Sequence, residues 1–73
     1  MTKPTSYYEL VVSQLVKEDG KTKEWKVTSI IADIEEKKCF EIAKLFNRTT
    51  SSRLHFAALY PGSYSIGSVW HSK

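Results

Sequence analysis

The sequence is poor in the residues that build most recognisable sites. It holds one cysteine, three scattered glycines and two histidines, and its longest uninterrupted apolar run is FAALY at positions 56–60. A lone thiol, Cys39, excludes an internal disulfide framework and fits a reducing compartment. Gly20, Gly62 and Gly67 stand apart in the chain, so there is no glycine-rich phosphate loop. Two histidines, His55 and His71, without a third ligand make a poor zinc site. No apolar stretch approaches the length of a membrane span, and the first residues lack the basic-then-apolar order of a secretory leader. Charge of one sign is scarce too: eleven basic against eight acidic residues leave a net +3, with the signs interspersed. These absences set the expectation of a soluble cytoplasmic protein that is not an enzyme. They also predict no cofactor, no metal, no membrane and no small-molecule substrate.

What is there argues for a folded globule. Hydrophobic residues make up 41% and aromatics 12% of the 73 residues, enough for one thin-cored domain over 1–73. Chains of this size bury only about 60% of their unfolded surface. Residues 1–5 are polar, carry Pro4 and read as a frayed lead-in.

Residues 33–47, DIEEKKCFEIAKLFN, carry the clearest helical pattern. Asp33 and Glu36 are spaced as a capping box. At about 100° per residue, Cys39, Ile42, Ala43 and Phe46 share one side, flanked by Phe40 and Leu45, with Lys37, Glu41 and Lys44 opposite. Residues 6–17 and 22–32 are rich in β-branched and aromatic side chains and are separated by Asp19-Gly20, a strong hairpin signal. With Asp19-Gly20 as the turn, Val12 opposes Val27, Leu10 opposes Ser29 and Tyr8 opposes Ile31. Tyr8, Leu10, Val12, Trp25, Val27 and Ile31 then face the helix. Residues 53–60 and 64–71 alternate as two further strands around Pro61-Gly62, with Phe56 facing Ser68, Ala58 facing Ile66 and Trp70 turned to the helix. The expected fold is α+β: a ββαββ chain forming a four-stranded antiparallel sheet with one helix packed on one face.

One helix covers one face. The other carries Val11, Leu15, Ile30, Leu59 and Val69 with His55, rimmed by charges that include Lys26 and Arg53. An apolar group of this size on a small domain marks a contact surface. The expected partner is another protein or a second copy of the chain as a homodimer, docking on this face or on an uncovered edge strand. Val11, Leu15, Ile30, His55, Leu59 and Val69 are the expected contacts, with Lys26 and Arg53 setting orientation. The alternative is single-stranded nucleic acid, bound by Lys17, Lys21, Lys23, Lys26, Arg48 and Arg53 with exposed aromatics stacking on bases. Interleaved Glu9, Glu18, Asp19 and Glu24 weaken the field such binding needs.

Several chemical candidates have plainer readings. Cys39 lies on the apolar arc of the helix as a small core residue. Asp33, Glu35 and Glu36 suit a first helical turn rather than a carboxylate pair. Asn47-Arg48-Thr49 matches a glycosylation acceptor with no leader to support it. The ββαββ order resembles the plan of β-grasp-like and protein G-like binding modules, an analogy of architecture that carries no function. As a class, so short a chain resembles the accessory inhibitors that phages and mobile elements encode.

Overall fold

A computed structural model describes residues 6–72; the expected lead-in over residues 1–5 lies outside them. Strand β1 (Tyr7–Asp19) and strand β2 (Thr22–Glu35) form a long hairpin, followed by helix α1 (Glu36–Thr49), strand β3 (Leu54–Leu59) and strand β4 (Val69–Ser72). The four strands make one sheet in the order β3-β1-β2-β4, with every neighbouring pair antiparallel. The fold is α+β with the expected ββαββ element order. The hairpin turn falls one residue later than expected: Asp19 pairs with Thr22, and Gly20 and Lys21 form the loop. Gly20 takes the first loop position at φ 61°, where a side chain would be strained.

The expected second hairpin does not form. β3 lies on one edge of the sheet beside β1, while β4 lies on the other beside β2, so residues 60–68 cross between them. Pro61-Gly62 does make a turn: the Ser63 N–H donates to the Tyr60 carbonyl at 3.1 Å, with Gly62 at φ 86°. That is the type II pattern of Pro then Gly. The Gly62 N–H donates to Glu9 Oε1 at 3.0 Å, tying the start of the crossing to β1. Its end is tied to β2, because the Gly67 N–H donates to the Val27 carbonyl and the Val27 N–H to the Ser68 carbonyl, both at 2.8 Å. With Gly67 at φ 93°, this is a glycine bulge that feeds the chain into β4. Tyr64, midway along, joins β1 residues Val11 and Ser13 around one pocket, so the crossing runs over the face opposite the helix.

Three register shifts in the central hairpin decide which side chains share a face. Val16 on β1 and Thr28 on β2 are each an extra residue without a partner, and between them the pairing is offset by one. A one-residue offset exchanges faces. Ser13 therefore opposes Val27, Leu15 opposes Trp25 and Gln14 opposes Lys26. Trp25 and Val27 leave the helix side, where they were expected, and Lys26 moves onto it. Outside the bulges the parity returns: Leu10 opposes Ile31 and both stay on the helix side. The third extra residue lies near Asp33, which sits in the strand at φ 61°. Aspartate tolerates this left-handed conformation better than most residues. It does not cap the helix: Glu35 occupies that position without a side-chain bond.

The helix buries part of the expected arc: Cys39 and Ala43 are buried and Ile42 packs beside them, but Phe46, expected with them, is exposed. Leu10, Cys39, Ala43 and Phe56 form the centre of this side, with Tyr8, Val12, Ile34, Ile42, Leu54 and Ala58 packed around them. α1 lies mainly over β3 and only grazes β2, so Phe40 and Leu45 stay about half exposed and Phe46 over a third exposed. Asn47 anchors its end: Nδ2 donates to the Phe56 carbonyl at 2.6 Å and Oδ1 accepts the Phe56 N–H at 2.8 Å. The amide thus occupies both backbone groups that Phe56 would otherwise offer to an added strand. Edge strands are commonly blunted by some such device.

Candidate functional site

The face without the helix has a cover of its own. Trp25 on β2 and Trp70 on β4 are opposite each other in register, and their rings stack with centroids 5.5 Å apart and planes at 13°. Their polar tips are satisfied: Trp25 Nε1–H donates to Ser72 Oγ and Trp70 Nε1–H to Ser13 Oγ, each at 2.9 Å. Buried indoles call for such partners. Ser13 itself is buried and opposes His55 on β3, whose ring lies 4.9 Å from Trp70 and 5.6 Å from Trp25. The cluster joins all four strands, and beneath it Val11, Leu15 and Val27 are buried.

This placement sorts the expected contact residues. Val11 and Leu15 are core under the tryptophans, 1% and 5% exposed, and offer no surface to a partner. Val69 is half exposed, but its register opposite Lys26 puts both on the helix side, away from the group they were assigned to. Ile30, His55 and Leu59 do lie on the helix-free face, each partly buried. The Arg53 side chain bends to the Leu15 carbonyl at 3.5 Å, while its own carbonyl accepts the Leu15 N–H at 2.8 Å, extending the β1–β3 ladder. His55 and His71 do not meet: β3 and β4 are the two opposite edges, and His71 Nε2 contacts Glu24 Oε1 at 3.2 Å.

Between β3 and the crossing a pocket of about 190 Å³ remains open. Buried Val11 and Ser13 form its floor, His55, Ala57 and Leu59 line the β3 side, and Tyr64 and Trp70 close the other. Among the described residues no charged side chain lines it. His55 Nδ1 is sealed from solvent with no hydrogen-bond partner among the described residues. Burial pushes the imidazole below its ordinary pKa, because protonation would place a charge among rings. Burial thus favours the neutral ring.

The basic groups behave differently. Lys23 Nζ lies 3.8 Å from Glu18 Oε2, and Lys17 opposes Glu24 across the hairpin. A smaller hollow of about 110 Å³ there mixes Lys17 with Asp19 and Glu24, a poor cradle for phosphate. Lys21, Lys26, Arg48 and Arg53 are exposed but distributed over the hairpin loop, β2, the end of α1 and the turn before β3. Trp25 and Trp70 stack on one another, which takes up ring surface that base stacking would need. Cys39 is fully buried, and burial raises its thiol pKa, away from the reactive thiolate.

One surface group escapes the sequence reading. Tyr8 links Phe40, 5.5 Å away, to Tyr60 at 6.0 Å, making an aromatic row on the helix side in which Phe40 and Tyr60 are largely exposed. A Glu36 carboxylate hydrogen-bonded to the phenol raises the Tyr8 pKa. The pocket also escapes it, since Tyr64 reaches β1 only through the crossing. No protein-family model, curated protein or solved structure matches the chain. Among the described residues no helix is long and apolar enough to cross a membrane.

Proposed function

We propose that the protein is a small binding module that acts by contacting another protein, a second copy included, across the part of the helix-free face that the crossing leaves open. The observation that carries this is the uncharged pocket beside Trp70, bounded by Leu59 and Tyr64 and opening on a face otherwise filled by the protein's own side chains. Concave, mostly apolar surface in which the His55 Nδ1 has no hydrogen-bond partner among the described residues suits recognition better than catalysis. His55, Ala57, Leu59 and Tyr64 form the contact group, with Ile30 further along the sheet. An accessory inhibitor or modulator is one form such binding takes. The nucleic-acid alternative has less support, because acidic partners offset the hairpin lysines and the tryptophans are already stacked.

Leu59→Asp tests the proposal. It places a charge at the pocket wall while leaving the buried floor intact. The folded variant should lose self-association, read by light scattering, or capture of a defined partner, read by quantitative affinity purification against wild type. A folded Leu59→Asp protein that associates as wild type does removes the binding role.

A further inference from the structure

We infer that the pocket beside Trp70 receives one aromatic side chain of the partner protein. This rests on the binding role proposed above and names the anchor of that contact. Size is the first reason: about 190 Å³ is small against the roughly 300–1,000 Å³ of pockets that hold cofactors or drug-sized ligands. It is comparable with the cavity of about 150 Å³ that admits a single benzene ring. The second reason is the wall. His55, Tyr64 and Trp70 present three rings, and aromatic pairs gain from offset or edge-to-face contact beyond the area they bury. The hollow exists because Ser13 and Ala57 are small and Ser13 is already engaged by the Trp70 indole. Third, the lining has no Lys, Arg, Asp or Glu among the described residues, so a charged side chain would shed its hydration without a counter-charge. The pocket is partly open rather than sealed, which suits a ring delivered on a backbone that stays outside. Buried aromatic anchors in pockets are the usual centres of protein interfaces.

The experiment is a titration of the isotope-labelled protein followed by NMR, with three probes. They are p-cresol as a bare ring, N-acetyl-tyrosinamide as a ring on a blocked backbone, and N-acetyl-lysinamide as a charged control. The two ring probes should give saturable shifts at the Ala57 methyl and Trp70 indole resonances, and the lysine probe none. Ala57→Phe fills the hollow and should weaken ring binding about tenfold or more with the fold retained, the scale of discrimination by apolar volume. Tyr64→Ala, which removes a wall instead, should also weaken it. The proposal fails if neither ring probe gives saturable shifts there, or if Ala57→Phe binds them as wild type does. It also fails if p-cresol binds and N-acetyl-tyrosinamide does not, which would make the pocket a site for a free ring compound. Lost probe binding removes the anchor alone, whereas unaltered association of Leu59→Asp removes the binding role itself.

Discussion

The two faces of the sheet are covered by different means. On one, a helix packs Cys39 and Ala43 onto Leu10 and Phe56, and the centre of the contact is apolar, with Asn47 bonding the Phe56 backbone at its end. On the other, the chain covers itself with two tryptophans, a histidine and a nine-residue crossing over positions 60–68, and the contact includes hydrogen-bonded polar tips and one orphaned nitrogen. The helix cover follows from local periodicity and is repeated every turn. The tryptophan cover depends on residues 45 apart in sequence, Trp25 and Trp70, meeting in one register. A sheet with two apolar faces thus has no need of an outside shield for its centre, only for the pocket that the second cover leaves.

The largest way to break this comparison is to remove the second cover. Trp25→Ala should cost about 3–5 kcal/mol, as for large buried aromatics elsewhere, and expose Val11, Leu15 and Val27. Denaturant unfolding measures it. A loss comparable to that of Phe56→Ala would give the two faces equal weight, and a loss well under 1 kcal/mol would make the tryptophan layer ornamental.

Asn47→Ala comes next. It strips both backbone groups of Phe56 of their partner and should cost about 1–3 kcal/mol. It also reopens the β3 edge, so light scattering should report a concentration-dependent rise in mass as strands add to it. A variant that stays as stable and as monodisperse as wild type would deny the amide its edge-guarding role.

The smallest effect sharpens the chemical contrast between the faces. His55 has a folded-state pKa lowered by burial, and the rings facing it from β2 and β4, Trp25 and Trp70, carry no charge. The neutral form is therefore favoured by folding. Its contribution is fully present above the unfolded value of about 6.5 and is lost as pH falls through the lower folded value. Urea titrations at pH 7.5 and 5.5 should show less stability at the lower pH, and His55→Leu should shrink that difference. An undiminished difference in His55→Leu would place the proton elsewhere.

Much of the fold was legible in the residues. Alternating β-branched and aromatic positions marked β1 to β3, the apolar arc of residues 39–46 marked the helix, and Pro61-Gly62 marked a turn. Legibility ended at the bulges. Val16 and Thr28 carry no turn chemistry, yet together they reverse the faces of Trp25, Lys26 and Val27. Asp33 had the spacing of a cap but is used for its tolerance of positive φ, and Asn47 resembled a glycosylation acceptor but is used as a strand substitute. The candidate site was only half visible: His55 and Leu59 were named, whereas Val11 proved to be part of its buried floor, Leu15 lies in the core outside it, and Tyr64 was missed.

The sequence by itself determined the element types, their order, the helix face and the surplus of apolar side chains on a second face, because propensity, periodicity and turn chemistry act between near neighbours. Only the tertiary structure decided that β4 joins β2 instead of β3, that the tryptophans lie away from the helix, and that a ring-sized hollow is left beside them. Those outcomes depend on pairings between distant segments, where a single extra residue exchanges one face for the other and no local signal records which partner a strand will take.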